Sequence, residues 1–213
     1  MVVRVAAVVV LATAGLVGAG LVTAAPSPDP GTSNTPEPSS PTASVEASQA
    51  RRTGSVAAEA PTAVRLPSGT RVPVIAVATR DNGVLDVPDD VAAAGWWSGG
   101  SRVGDPFGAT LLAGHVDSAK QGLGAYAELL DVRPRQRVRL SSAHLEQAFV
   151  IDSLRLIAKG DVGRDPRVWS SRGDRRLVLV TCAPPYDPAR GGYQRLAVVT
   201  ALPVGDAQDR RSP

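Results

Sequence analysis

The chain has 213 residues, a formal net charge of +3, two histidines, one cysteine and only 4% aromatic residues. A single cysteine excludes an internal disulfide, and one cysteine with two distant histidines matches no usual zinc-ligand spacing. Basic residues are scattered, aromatics are scarce and no helix-turn-helix pattern is present, so nucleic-acid binding has no support; Arg outnumbers Lys 21 to 2, a mark of a GC-rich genome that says little about partners.

Residues 5–25 are almost wholly apolar and uncharged, with Arg4 just before them. At a rise of about 1.5 Å per residue, such a helix crosses a hydrocarbon core of about 30 Å. Residues 1–25 are therefore expected to form a membrane anchor. A positive residue on the N-terminal side keeps that end in the cytoplasm, so the rest of the chain is expected outside a single-pass membrane segment. The competing reading is a cleaved signal peptide with Val22-Thr23-Ala24 at its cleavage site, which exports the remainder equally. Residues 26–62 are rich in Pro, Ser, Thr and Ala. That composition cannot bury enough surface to offset the entropy of ordering, and a disordered spacer is expected.

Residues 63–204 are long enough for one domain with a real core, and residues 205–213 are expected as a flexible tail. Apolar β-type runs predict strands over 72–78, 110–114, 136–140, 147–157, 177–181 and 195–201, separated by Gly, Pro, Asp and Asn. One helical stretch is expected over 123–131. A shorter one is expected over 88–94, where Pro88 suits a first helical position and Asp89 and Asp90 suit the positive end of the helix dipole. Arg133, Arg135, Arg137 and Arg139 alternate, which puts them on one solvated face of an extended strand. Many short strands with few helices indicate a mainly β domain, a closed or nearly closed barrel.

The lone Cys182 ends the apolar run Leu177-Val178-Leu179-Val180-Thr181-Cys182 and is followed by Ala183-Pro184-Pro185. The thiolate is the nucleophile, and an unperturbed thiol with a pKa of about 8.5 is only about 3% ionised at pH 7. An imidazole and a guanidinium close by would supply what the thiol lacks. His115, in Leu111-Leu112-Ala113-Gly114-His115-Val116-Asp117, and Arg195, thirteen residues after Cys182, both sit at ends of predicted strands. Thr181 faces away from Cys182 on a regular strand, and its hydroxyl either holds the local turn or reaches a ligand. Asp117 either orients the site or faces solvent. His144, in Ser142-Ala143-His144, reads as part of a hairpin turn.

With these residues in order, the domain resembles the sortases, the cysteine transpeptidases of Gram-positive cell surfaces. The resemblance rests on the His115 motif, on Leu179-Val180-Thr181-Cys182 and on Arg195. Val84-Leu85-Asp86-Val87-Pro88 and Ala94-Gly95-Trp96-Trp97 are similar to the actinobacterial branch often labelled class F. The resemblance implies a sortase-type closed β-barrel with one or two short helices. It also implies a cysteine that attacks the Thr–Gly bond of an LPXTG-like sorting signal, forming a thioacyl-enzyme that a peptidoglycan-precursor amine resolves. On that mapping Cys182 is the nucleophile, His115 the proton donor to the leaving amine, and Arg195 the group at the oxyanion or substrate backbone. Thr181 and Asp117 fall to substrate binding. No cofactor or metal is expected. Alternatives are another exported wall-acting cysteine peptidase or a non-catalytic envelope β-domain. The last of these predicts a buried Cys182 with His115 and Arg195 apart.

Overall fold

The computed structural model describes residues 56–81 and 83–210. The expected membrane anchor and the spacer up to residue 55 lie outside the described residues.

Among the described residues, eleven strands run in the order β1 (Ala63–Arg65), β2 (Arg71–Val77), β3 (Ala94–Trp97), β4 (Ala109–Gly114), β5 (Asp117–Ser118), β6 (Gly122–Leu123), β7 (Arg137–Ser141), β8 (Leu145–Ala158), β9 (Arg176–Asp187), β10 (Gly192–Pro203) and β11 (Gln208–Asp209). Hydrogen bonding follows the order β10-β9-β4-β3-β2-β1-β7-β8, and β8 also pairs with β10. That last pairing closes an eight-stranded barrel, which removes its sheet edges. β2–β3 and β4–β9 are parallel pairs, so each requires a long crossover connection. The β2–β3 connection and the β8–β9 connection cover one side of the barrel.

The apolar run before Cys182 is continuous because β9 is covered on both faces. Leu177 and Leu179 point into the barrel with Leu112, Phe149, Val199 and Tyr126. Val178 and Val180 point outward, with Leu111, Ala113 and Val198, against a second apolar layer. That layer comes from Leu85 and Val87 in the β2–β3 crossover and from Val168 and Trp169 in the β8–β9 crossover. The six residues of β4 are likewise all buried. Burying each such Leu or Val contributes about 1.5–3 kcal/mol.

Helical structure differs from expectation. The stretch predicted over 123–131 is a 3-10 helix, Ala125–Leu130, which buries Tyr126 and Leu129. The stretch predicted over 88–94 is not a helix. Asp90 Oδ1 accepts the Ala92 N–H at 2.9 Å and Asp90 O accepts the Ala93 N–H at 3.0 Å. Ala94 then enters β3, whose sheet partners outweigh helical propensity. The same Asp-Pro chemistry succeeds instead at α1 (Pro166–Trp169), where Asp165 caps by accepting the Arg167 N–H.

Both boundaries also move. Glu59, expected in the spacer, exchanges backbone hydrogen bonds with Val103 at 2.8 and 2.9 Å, and Thr62 N–H donates to Ser141 O at 2.8 Å. The expected tail pairs as β11 with Leu145 and Glu146 of β8. Neither segment has a long apolar run to signal it, because each adds to an existing edge through its backbone. In the arginine series only Arg137 and Arg139 lie on β7, since Arg135 turns left-handed at φ 75°. His144 does sit in the β7–β8 hairpin, its Nδ1 2.8 Å from Glu59 Oε1.

Candidate active site

β4 delivers His115 and β9 delivers Cys182 to the same end of the barrel. The two strands are parallel neighbours, with Ala113 opposite Val180, so the residues that follow each leave the sheet side by side. One buried bond ties the pair. Thr181 Oγ1 donates to Gly114 O at 2.9 Å, joining the residue before the thiol to the residue before the imidazole. The Thr181 hydroxyl is thereby spent on the protein itself.

Two glycines let the histidine segment settle. The Tyr126 ring packs where a Cβ on Gly114 would stand, 2.8 Å away. Gly124 passes so close that its Cβ would lie 2.4 Å from His115 O. No side chain fits there without displacing the backbone of His115.

Cys182 and His115 line one cavity of about 590 Å³. Leu85, Val87, Val168, Trp169, Leu111 and Leu196 make its apolar wall, and Thr181, Asp89, Arg80 and Lys159 add polar groups. Trp169 is fixed edge-on to Trp97 at 5.3 Å, and its Nε1 donates to Val162 O at 2.7 Å. Burial pushes the Cys182 thiol up from its ordinary value; the Lys159 ammonium pulls it down and the Asp117 carboxylate pushes it up. The net shift is upward, so the neutral thiol dominates at pH 7. Among the described residues no hydrogen bond engages the His115 ring, which leaves both nitrogens available within the cavity.

Arg195 lies on β10 opposite Ala183 of β9, one residue from Leu196, which is opposite Cys182. Its side chain is exposed and stands outside the cavity lining. Asp117 is exposed as well, and its Oδ2 accepts the Tyr193 hydroxyl at 2.6 Å. That hydrogen bond, ahead of burial, pushes the Tyr193 phenol up to about 12. Tyr193 in turn meets Tyr186 edge-on at 5.0 Å. Asp117, Tyr193 and Tyr186 thus brace the β9–β10 turn beyond the cis Pro184-Pro185 peptide. Among the described residues no group of three or more His, Cys, Asp or Glu is gathered closely enough to hold a metal ion.

Sequence reasoning located the thiol and the imidazole. It missed Lys159, Tyr193 and the Val168–Trp169 wall: Lys159 just past β8 and Tyr193 on β10 arrive through strand pairing, and Val168 and Trp169 through the long β8–β9 connection, none with a local motif. The sharpest available signal for Lys159 was its rarity, as one of two lysines.

A sequence model of the sortase domain matches residues 66–204. The chain belongs to the sortase family. Its barrel is similar to sortase E1 of Streptomyces coelicolor, with a TM-score of 0.54 at 16% identity over 73% of this chain and 94% of that one. Sortase A of Listeria monocytogenes gives a TM-score of 0.51 at 16% identity, covering 72% of this chain and 91% of that one. Sortase C of Streptococcus pneumoniae gives a TM-score of 0.52 at 14% identity, covering 70% of each chain. These likenesses carry the fold. No curated protein sequence matches the chain. Sortases are cysteine transpeptidases, and the lone cysteine of this one opens onto the cavity it shares with His115.

Proposed function

We propose that this sortase cleaves an LPXTG-like sorting signal at its Thr–Gly bond and transfers the acyl group to an amine of a peptidoglycan precursor. The observation that carries this reading is the shared cavity: a thiol and an imidazole line the same largely apolar cleft of about 590 Å³. In the first step Cys182 gives its proton to His115 and its sulfur bonds to the threonine carbonyl carbon. As the C–N bond breaks, His115 returns the proton to the leaving glycine amine. An incoming amine then attacks the thioester, loses its proton to His115 and releases the Cys182 thiolate, which recovers that proton.

Arg195 has the role of meeting the oxyanion or the substrate backbone. Among the described residues no ion pair or hydrogen bond holds its guanidinium, which leaves it free to swing toward developing negative charge. Thr181 contributes to substrate binding through the Gly114 clamp, and Asp117 through the Tyr193 brace at the edge of the site. The reading places the chain at the cell membrane, held through residues 5–25 with the domain outside. There it meets sorting-signal proteins and wall precursors. The Val84-to-Pro88 and Ala94-to-Trp97 motifs support assignment to the class F-like actinobacterial branch; Leu85, Val87 and Trp97 all pack in the layer that borders the cleft.

Incubation of the full chain with a panel of LPXTG-type peptides and an amine acceptor tests this. Intact mass measurement is expected to show a thioacyl adduct on Cys182 that the amine discharges. No adduct with any peptide, while an alkylating reagent still labels the thiol, would remove this substrate class.

A further inference from the structure

Three strands bring side chains in register to the barrel face that carries the cleft. Ile157 of β8 is opposite Leu196 of β10, and Leu196 is opposite Cys182 of β9. Opposed residues of an antiparallel pair project to one face, and alternate residues return to it. The face that holds Cys182 therefore includes Leu196, Ile157 and, two residues past Ile157, Lys159. The ladder reaches that far, because the Lys159 N–H donates to Gln194 O at 3.0 Å. Lys159 accordingly lines the cavity with Cys182 and His115. Arg195 is one residue out of phase with this row.

Other charged or titratable groups also border the thiol, His115 in the same cavity among them. Arg80 is paired with Asp86, Asp89 lies in the cavity lining, and Asp117 accepts from Tyr193. Among the described residues no ion pair holds Lys159. An apolar wall disfavours a bare thiolate, and the cation on its own face is this ammonium. A lysine suits the task, since its charge is compact and rides on a flexible four-carbon stem.

We propose that Lys159 is a positioning residue that supports Cys182 in its thiolate form, an inference that rests on Cys182 being the nucleophile of the proposed reaction. The balance at the thiol agrees with the geometry: burial and Asp117 oppose ionisation and Lys159 favours it. Lys159 acts before any acyl transfer and needs no contact with the sorting signal.

Cys182 is the only cysteine, so iodoacetamide labelling of the full chain reads this thiol alone. Its rate, followed from pH 5 to pH 10, gives the thiolate titration. Lys159→Gln is expected to slow labelling at pH 7 about threefold and move the midpoint upward. Lys159→Glu is expected to slow it further, and Lys159→Arg to restore the wild-type profile. Only a charge effect produces that order, since Lys159 is exposed and its truncation leaves the core intact. Superimposable profiles for Lys, Gln and Glu at position 159 would overturn the proposal. Because labelling needs no peptide, the expected order without any thioacyl adduct would count against the LPXTG substrate and leave Lys159's role standing.

Discussion

Gly124→Ala is expected to damage catalysis from outside the cleft. At Gly124 the backbone has φ −81° and ψ 162°, a conformation open to any residue, so space alone selects glycine. An alanine Cβ there would stand 2.4 Å from His115 O and 3.1 Å from Val91 O, where ordinary contact begins near 3.4 Å. Relief therefore requires about 1 Å of movement. Both obstacles are backbone, and the segment is tied down by Gly124 N–H to Val116 O at 2.9 Å and Ala125 N–H to Val91 O at 3.1 Å. Overpacking of this kind costs about 1–3 kcal/mol, which lowers the melting temperature of a domain this size by roughly 3–10 °C. Displacing a catalytic group by about 1 Å costs on the order of a hundredfold in rate. Thermal melting and the kinetics of thioacylation on a cleaved peptide read the two effects separately, and the loss is expected mainly in kcat. A variant that melts within about 1 °C of wild type and keeps its kcat/KM would refute the claim that this close approach sets the position of His115.

Thr181→Val keeps the shape and removes the donor to Gly114 O, leaving a buried carbonyl short of a partner at a cost of about 1–3 kcal/mol. Its urea midpoint is expected to fall with an unchanged slope, while Thr181→Ser stays near wild type; equal midpoints for Val and Thr would remove the clamp from the account. Glu59 is held down to about 2 from an ordinary 4.5 by the Ser142 hydroxyl first, then by the His144 N–H and ring. Its folded value is depressed, so its stabilisation is complete above pH 4.5 and is lost as pH falls toward about 2. Denaturation measured across that window is expected to show a shallower acid-side loss in Glu59→Gln, and identical slopes in the two proteins would contradict the assignment.

The sequence alone determined the class of fold and singled out the two residues on which the proposed chemistry rests. Strands β4, β9 and β10 announced themselves because they lie under the crossover layer as well as over the barrel interior. Burial on both faces leaves an uninterrupted apolar run, and such a run is visible without coordinates. Cys182 stood out as the only thiol and His115 as the residue ending such a run. What the tertiary structure decided was everything that depends on pairing across the barrel. β1 and β3 are short and take their stability from neighbours, so their own composition does not declare them. The row Cys182, Leu196, Ile157 and Lys159 exists only through strand register, and a shift of one residue would turn each side chain to the other face. That register puts Lys159 on the thiol's face and Arg195 out of phase with it, a distinction no spacing along the chain expresses.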